Sequence, residues 1–550
     1  MGPSNNLSIL IGPIEPPLWN LTLGQFLKQH AQTAPSSPCL VFPQAQYRAT
    51  YKQLYDRTIP VAKGLIAAGV RNGDNIGILA GNCPPYVELL FATSHIGAAL
   101  VVLNSTYTPL ELHSALKLSG CRLLFTSSRI GKLSSHGVLN MLAEKTFPKP
   151  LHELQEVFLL KRENSWGFRD YDDLISIGER VQDTDVAKRT ANVHPDDVCN
   201  LQFTSGTTGA PKAAMLTHNN ILNNGRFTGD RMLLTPKDIV CCPPPLFHAF
   251  GITAGLLAAL THGSSIVFPS ETFQPLESLQ AVSTEGCTAL HGVPAMFSAY
   301  LDSVNSGWDL STLRTGIVGG SPVPPKMMAD LRQVLNLVHI TNLYGEMNST
   351  KKLPKVDLTL LVGMTETSAA SLMSFTDDPI EKRLSTVGKI FPHVRAKIGN
   401  TSGDIVPTGS RGELWVSGFG LQKGYWRNPE KTAEAMRTDE NGILWMQSGD
   451  EAVFDSEGYC RITGRIKDII IRGGESIYPL EIEERLVQHA SIVQASVVGI
   501  ADEKLGETVS AFIQQRKDQE QPSTEQVRAF ARQTLGWHKV LLAEMGRVFS

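Results

Sequence analysis

Two spacings of apolar residues alternate along the first 200 residues. Apolar positions recur at helical spacing in residues 54–68, 88–95 and 109–118. Between and after these stretches, residues 75–80, 98–103 and 122–126 form short continuous apolar runs. Short continuous runs are typical of buried strands. The alternation of strands with helices favours parallel α/β layers, and it resumes from 198 to 320. The polar stretch between them, 161–197, is expected to be a surface connection.

The pattern changes near residue 395. The segments 394–398, 412–417 and 458–463 are short apolar runs broken by Gly, Asn and Asp, which predicts antiparallel hairpins. The charged, turn-like residues 464–468 follow. Beyond them the sequence predicts a separate small α+β unit, with helices at 479–489 and 523–533 and strands at 492–500 and 509–514.

We therefore expect an α/β fold in two domains. Residues 1–466 form a large N-terminal domain of α/β layers, with a β-rich subdomain at about 390–466. Residues 467–550 form a small α+β domain, and the boundary is placed at Lys467.

Composition and charge narrow the class of protein. The 550 residues are 42% hydrophobic and 19% charged, which excludes a disordered, collagen-like or coiled-coil chain. Lys and Arg number 50 against 53 Asp and Glu, a net charge of −3, so a dedicated nucleic-acid binder is not expected. None of the eight cysteines lies in a C-x-x-C pair, as a zinc clamp would require. The expected partner is a small molecule.

Targeting signals are not expected either. The first basic residue is Lys28, so the basic start of a secretory signal is missing. The most apolar stretch, around Ile96 to Leu103, is too short to cross a bilayer. The last three residues do not form the peroxisomal tripeptide Ser-Lys-Leu. A protein of the cytosol or the peroxisome is expected, and its oligomeric state is left open.

The strongest local signal lies between Thr204 and Lys212. Its nine residues, Thr-Ser-Gly-Thr-Thr-Gly-Ala-Pro-Lys, combine two glycines, four hydroxyls and one cation, which suit a polyphosphate. The spacing is not that of a Walker loop. On composition alone, a Gly/Ser/Thr-rich turn is an equal alternative.

Four further motifs follow the segment Thr204–Lys212 along the chain. They are Gly363–Thr367 (GMTET), Ser448–Asp450 (SGD), Gly464–Asp468 (GRIKD) and Ile471–Pro479 (IRGGESIYP). Together the five resemble the adenylate-forming superfamily of acyl-CoA synthetases, luciferases and peptide-synthetase adenylation domains. The pattern is most similar to medium-chain acyl-CoA synthetases and to fungal acyl-CoA ligases of siderophore and host-toxin pathways. The resemblance implies an ATP-dependent acid–CoA ligase that uses ATP, Mg²⁺ and coenzyme A.

The resemblance also implies a role for each motif residue. ATP and AMP would be bound by Thr204, Ser205, Gly206, Thr207, Thr208, Gly209, Lys212, Gly320, Ser321, Thr365, Asp450 and Arg465. Among these, Lys212 would hold the β- and γ-phosphates, Thr365 the α-phosphate, Asp450 the ribose hydroxyls, and Arg465 the ribose or a phosphate. Beside them, Glu366 would offer oxygen ligands to Mg²⁺.

Further residues would serve the acid and coenzyme A. His248, in a Pro-Leu-Phe-His-Ala-Phe segment, would orient the substrate carboxylate or gate the acyl pocket, and a packed core histidine is the alternative. Gly473, Gly474 and Glu475 would meet coenzyme A after the small domain turns about Lys467.

Two alternatives to a ligase remain open. One is an adenylation enzyme that loads a carrier protein, although no carrier domain follows in the sequence. The other is a catalytically impaired nucleotide- or acyl-binding homologue. The second is favoured by two departures from the family pattern.

The first departure concerns the C-terminal segment. After residue 468 the sequence contains no Gly-Lys pair, whose lysine in the family stabilises the adenylation transition state, and the C-terminal domain looks truncated. Loss of one such cation is worth about 3 kcal/mol. We expect adenylation to be severely impaired and thioester formation from supplied acyl-adenylate to suffer less.

The second departure is an insertion. The family pattern passes from Tyr344-Gly345 directly to Met364, but Glu346–Gly363 intervene here. An insertion at this place is expected to displace Thr365 and Glu366, and an error of about 1 Å can reduce the rate about 100-fold.

We predict that residues 346–363 are encoded by a retained intron, because removal of whole codons restores the motif. Sequencing of spliced transcripts checks this prediction. A mature message that encodes these residues would contradict it.

Overall fold

The computed structural model describes residues 7–204, 211–304, 307–319, 325–337, 339–343, 358–362, 364–400, 402–472, 475–502, 506–516, 519–520, 522–535 and 546–547. The expected sites at Ser205–Gly209, Gly320, Ser321, Gly473 and Gly474 lie outside these residues, as does most of the insertion.

The strands are, in chain order, β1 (Ile9–Ile11), β2 (Pro38–Phe42), β3 (Tyr47–Thr50), β4 (Asn75–Leu79), β5 (Ala99–Val102), β6 (Leu123–Thr126), β7 (Arg129–Ile130), β8 (Leu133–Ser134), β9 (Glu156–Leu159), β10 (Arg169–Asp170), β11 (Val198–Thr204), β12 (Lys212–Thr217), β13 (Ile239–Cys241), β14 (Ser265–Val267), β15 (Ala289–Leu290), β16 (Thr315–Gly319), β17 (His339–Leu343), β18 (Leu358–Val362), β19 (Leu372–Met373), β20 (Lys389–Ile390), β21 (Val394–Gly399), β22 (Gly412–Gly418), β23 (Met436–Thr438), β24 (Leu444–Phe454), β25 (Cys460–Arg465), β26 (Ile470–Arg472), β27 (Glu475–Ile477), β28 (Ile492–Asp502), β29 (Gly506–Gln515) and β30 (Gly546–Arg547).

The α-helices are α1 (Leu23–Thr33), α2 (Tyr51–Ala67), α3 (Pro84–Ile96), α4 (Pro109–Ser119), α5 (His136–Glu144), α6 (Tyr171–Gly178), α7 (Asp183–Ala191), α8 (His218–Arg231), α9 (Ala258–Thr261), α10 (Pro275–Glu285), α11 (Pro294–Ser303), α12 (Pro325–Leu335), α13 (Ile380–Ser385), α14 (Pro429–Ala435), α15 (Pro479–Leu486) and α16 (Thr524–Arg532). A π-helix, Phe250–Leu257, leads into α9.

Two large sheets form the α/β part of the fold. The first has the strand order β10-β9-β6-β4-β5-β11-β12, and the second has the order β20-β19-β18-β17-β16-β15-β13-β14-β2-β3. The central strands of both are parallel. The largest core cluster contains side chains from both sheets and from helices α1, α2, α3 and α8. The expected α/β layers are therefore confirmed.

The third sheet is antiparallel and has the order β1-β21-β22-β24-β23, with β25 also paired to β24. The predicted hairpins between residues 394 and 465 are confirmed. The N-terminal strand β1 joins this sheet beside β21, which the sequence pattern did not predict because the pairing joins segments nearly 400 residues apart.

The fourth sheet lies in the C-terminal part of the chain. Its order is β27-β26-β29-β28, with β30 paired to β29. Helices α15 and α16 contribute Ile482, Leu486, Val527 and Ala531 to a core cluster that contains no side chain from the other three sheets. The predicted small α+β unit is confirmed in its elements, and its boundary at Lys467 stays a prediction.

The polar stretch 161–197 was expected as a surface connection, but it contains α6 and α7. Helix α6 packs closely on α2, because Gly64 and Gly178 have no side chains to separate the two backbones. The stretch as a whole is polar, but α6 carries Tyr171, Leu174 and Ile175 at helical spacing, and its capping box at Asp170 is a local signal for a helix start. In the part of the chain that the structure describes, no helix is both long and apolar enough to cross a membrane.

Helix α8 fixes the turn that follows residue 364. The helix begins after a capping box in which Thr217 and Asn220 satisfy each other's backbone N–H groups. One turn later, the buried Asn224 side chain donates to the carbonyls of Thr367 (3.2 Å) and Ala370 (2.6 Å) and accepts from the Ala370 N–H (3.1 Å). A single amide thus satisfies three backbone groups of this turn.

We predict that Asn224→Ala lowers the free energy of unfolding by about 3 kcal/mol, because it leaves buried backbone groups without partners. Asn192→Ala is the control, since the exposed Asn192 amide donates only to the Lys188 carbonyl, and a change of less than about 0.5 kcal/mol is expected there. Urea unfolding measures both. Equal losses in the two variants would contradict the prediction.

Candidate functional site

The motif of hydroxyls and glycines connects two paired strands. Thr204 ends β11 and lies directly opposite Lys212, which begins β12. The alternation of strands and helices expected from residue 198 onward is present, with β11 before this motif and α8 from His218, but strand β12 between them was not predicted. The connecting residues 205–210 lie outside the described residues. Lys212 and Thr204 are both partly exposed at this end of the sheet.

The second motif forms a tight turn. Met364 precedes a 3₁₀ turn, Thr365–Thr367, and the backbone then passes through two residues of positive φ, Ser368 (66°) and Ala369 (115°). The Ser368 hydroxyl donates to the Gly420 carbonyl at 2.8 Å. Non-glycine residues adopt such backbone angles at a cost in energy that the surrounding contacts must offset. Glu366 is 9% exposed and Thr365 more so.

Residues 419–427 form a loop between β22 and α14 that contacts both the strand beginning at Lys212 and the turn at Thr365–Thr367. We call it the bridging loop. It pairs with β12 through backbone hydrogen bonds: Trp426 N–H donates to the Ala213 carbonyl (2.8 Å), Met215 N–H to Gly424 (3.0 Å) and Lys423 N–H to Met215 (2.9 Å). It also reaches the turn, because Gln422 N–H donates to the Glu366 carbonyl at 2.9 Å.

Tyr425 of the bridging loop contacts both charged residues. Its hydroxyl donates to Glu366 Oε1 at 2.8 Å, and Lys212 Nζ lies 5.0 Å from the centroid of its ring. Burial and the neighbouring Glu366 charge raise the pKa of Tyr425, so its hydroxyl stays protonated and able to donate. Sequence reasoning missed this residue, because one tyrosine in a loop has no periodicity and no charge to mark it.

Asp450 and Arg465 lie opposite each other on β24 and β25. Arg465 Nε is 2.6 Å from Asp450 Oδ1, the Asp450 side chain is fully buried, and the Arg465 side chain is 40% exposed. The structure thus brings together two residues that the sequence assigned to the nucleotide. A buried carboxylate is stable as an anion only when such a partner is present.

The segment after Arg465 leads into the C-terminal unit. Lys467 is exposed in a 3₁₀ turn, Ile466–Asp468, and Glu475 begins β27, opposite Arg472. The Tyr478 hydroxyl donates to Glu451 Oε1 at 3.0 Å. This contact ties the C-terminal unit to β24 one residue after Asp450.

His248 is exposed and lies at the end of the loop that precedes the π-helix. Its Nδ1 accepts a hydrogen bond from the Phe250 N–H at 3.1 Å. A neutral imidazole with an acceptor at Nδ1 carries its proton on Nε2, so Nε2 is the atom able to donate. Among the described residues, His248 forms hydrogen bonds with Pro245, Phe250 and Ile252 and with neither Glu366 nor Asp450.

Glu366 has the chemistry of a ligand in a magnesium site whose other ligands would come from bound phosphates. Among the described residues, no group of three or more His, Cys, Asp or Glu side chains could hold a metal alone. Mg²⁺ is commonly bound by one or two carboxylates together with substrate phosphates. Among the described residues, the buried Glu366 carboxylate accepts one hydrogen bond, at Oε1, and carboxylate oxygens have further lone pairs for a cation.

The sequence matches two family profiles along most of its length. The profile of the family described as AMP-binding enzyme matches residues 27–426, and the profile of the AMP-binding enzyme C-terminal domain matches residues 481–544. The chain is similar to acyl-CoA ligase sidI of Aspergillus fumigatus, with 51% identity over 540 residues that cover 97% of this chain and 88% of that protein.

Two further similarities extend over the same length. The mitochondrial medium-chain acyl-CoA ligase ACSF2 of Bos taurus is 34% identical over 553 residues, which cover 98% of this chain and 86% of that protein. The crystal structure of ATP-bound MatB from Rhodopseudomonas palustris superposes with a TM-score of 0.78 at 24% identity, covering 96% of this chain and 95% of that one. The second similarity shows a shared fold.

We predict that Asp450→Asn lowers the free energy of unfolding by about 2 kcal/mol, because it removes the buried partner of Arg465. The control is Asp56→Asn, which breaks an exposed pair with Lys52 and is expected to change stability by less than about 0.5 kcal/mol. Urea unfolding at neutral pH checks both. A loss at Asp450 no larger than at Asp56 would count against a structural role for the buried pair.

Proposed function

We propose that this chain, which belongs to the AMP-binding enzyme family, is an acyl-CoA ligase that activates a carboxylic acid with ATP and transfers the acyl group to coenzyme A. The observation that carries the proposal is the convergence of Lys212 and Glu366 on Tyr425. These residues come from two separate motifs of the family, and together they supply a cation for phosphates and a carboxylate for a metal ion.

In the first half-reaction, a carboxylate oxygen of the acid attacks the α-phosphorus of ATP. The new P–O bond gives an acyl-adenylate, and the bond to the β-phosphate breaks to release pyrophosphate. Two anions must approach each other, so the site has to supply positive charge in fixed positions. We assign Lys212 and the hydroxyls from Thr204 to Thr208 to the β- and γ-phosphates, and Thr365 to the α-phosphate.

We assign Glu366 to Mg²⁺. Bound there, the ion would neutralise phosphate charge and fix the phosphate geometry. The chain's own contribution is to hold the Glu366 carboxylate in one orientation, through the Tyr425 hydroxyl on Oε1 and the Gln422 N–H on the backbone carbonyl.

We assign the nucleoside to the pair of Asp450 and Arg465. A carboxylate only accepts hydrogen bonds, which suits the two ribose hydroxyls as donors. In this structure Arg465 forms an ion pair with Oδ1 of Asp450. The ribose hydroxyls would donate to the same carboxylate beside Arg465. The positions of Gly320 and Ser321 beside the base remain part of this proposal.

In the second half-reaction, the coenzyme A thiolate attacks the acyl carbon, the thioester bond forms and AMP leaves with the electrons of the broken C–O bond. We assign contact with coenzyme A to residues 473–475 and the change of orientation to Lys467, whose exposed side chain has room to move. His248 Nε2–H is assigned to the substrate carboxylate. The cytosol and the peroxisome are the proposed compartments.

We also propose that the insertion 346–363 slows adenylation. Within it, Leu358–Val362 forms strand β18, which pairs with β17 on one side and β19 on the other. This strand is directly followed by the turn that carries Thr365 and Glu366. Since our assignment places Thr365 on the α-phosphate and Glu366 on Mg²⁺, a shift of about 1 Å would lower the rate about 100-fold.

The test is ATP–pyrophosphate exchange with a panel of carboxylic acids, followed by a search for the CoA thioester. We expect exchange with at least one acid, formation of its thioester, and a fall in exchange of about 100-fold or more in Lys212→Met, because a stabilising cation is lost. Lys423→Met is the matched control, since this exposed lysine lies in the bridging loop that pairs with β12 and has no assigned role.

Other outcomes separate the alternatives. Exchange with transfer to a carrier-protein phosphopantetheine, and none to coenzyme A, would favour a carrier-loading enzyme. Binding of ATP without exchange for any acid would favour a catalytically silent homologue. A variant lacking residues 346–363 is expected to exchange faster than the full chain, and an equal or slower rate would contradict the proposal for the insertion.

A further inference from the structure

We propose that Tyr425 is a positioning residue, which holds Lys212 and Glu366 apart and oriented for ATP and its metal ion. The inference rests on the proposed function and adds a residue to it. Neither the sequence motifs nor the chemistry of the reaction assigns a role to this tyrosine.

The first argument is the pair of contacts. The Tyr425 hydroxyl donates to Glu366 Oε1 at 2.8 Å, while its ring lies 5.0 Å from Lys212 Nζ. A cation at this distance from a ring face is attracted by the ring electrons. One rigid side chain therefore gives a neutral partner to each of two oppositely charged and flexible groups.

The second argument concerns what those two groups would otherwise do. A lysine and a glutamate close together normally form an ion pair, and such a pair would compete with the phosphates for the lysine and with a metal for the carboxylate. Among the described residues, Lys212 and Glu366 form no ion pair within 4 Å. With Tyr425 as the partner of both, the two charges stay available to ATP.

The third argument is that Tyr425 is itself firmly held. It is 4% exposed, its N–H donates to Thr432 Oγ1 at 2.9 Å, and it forms a bridge with Ala214 of β12. The preceding Gly424 has a φ of +128°, and a Cβ there would lie 2.8 Å from Thr432 Cγ2. Glycine is the residue that allows this turn, and the turn points Tyr425 toward the site.

The same arrangement elsewhere in the chain provides a matched control. Tyr459 is also buried, its hydroxyl donates to Asp378 Oδ1 at 2.7 Å, and Lys382 and Lys389 lie 4.8 and 4.4 Å from its ring centroid. These residues lie outside the five motifs described above. Tyr459→Phe therefore removes a comparable hydroxyl–carboxylate contact outside the candidate site.

The experiment measures ATP affinity of the full-length chain by titration calorimetry, with Mg²⁺ in excess and with Mg²⁺ removed by a chelator. The ratio of the two affinities is the magnesium-linked gain. We expect Tyr425→Phe to reduce this gain about 10-fold, because a hydrogen bond to a charged group is lost, and Tyr459→Phe to leave it unchanged. Thermal melting should show a similar loss of stability in both variants.

Two further variants separate the ring from the hydroxyl. Tyr425→Leu also removes the ring below Lys212, so ATP binding without Mg²⁺ should weaken about 3-fold more than in Tyr425→Phe. In the double variant Glu366→Gln with Tyr425→Phe, the magnesium-linked gain should be no smaller than in Glu366→Gln alone, because the tyrosine acts through this carboxylate.

A wild-type chain that binds no ATP would overturn the proposed function, and this inference with it. A wild-type chain with a magnesium-linked gain that Tyr425→Phe fully retains would overturn only the role of Tyr425. An additional loss in the double variant would overturn the claim that Tyr425 acts through Glu366.

Discussion

The candidate site depends on the pairing of one loop with one strand. The bridging loop lies along β12 through three backbone hydrogen bonds, and its Tyr425 reaches Glu366 on a turn from another part of the chain. Without this pairing, Lys212 and Glu366 would have no common neighbour. Backbone hydrogen bonds are directional and fix the register, so they position the tyrosine more accurately than apolar contacts alone.

Around this centre, charged and polar groups are held from opposite elements. Asp450 of β24 faces Arg465 of β25, and Asn224 of α8 holds the backbone of the turn that carries Glu366. Buried polar groups are stable only with partners. Each of these contacts therefore supports the fold and also orients a group assigned to ATP, which is why substitutions there are expected to affect both stability and activity.

The sequence predicted most elements within a few residues where local apolar spacing was strong. The helix at 54–68 was observed as α2 and the run at 75–80 as β4, and the hairpins beyond residue 394 are present. Prediction failed where local signals were weak. Strand β12 adjoins a motif rich in glycine and hydroxyls, and α6 is only 8 residues long within a stretch that is polar as a whole.

The sequence by itself determined the family, the order of the motifs and the types of residue available for phosphate, metal and ribose, because these features are local and chemical. The tertiary structure decided which of them meet. Tyr425 is the partner of Lys212 and Glu366, and β1 joins a sheet built nearly 400 residues later. Such contacts depend on strand register and loop pairing between distant segments, and they cannot be predicted from the spacing of residues along the chain.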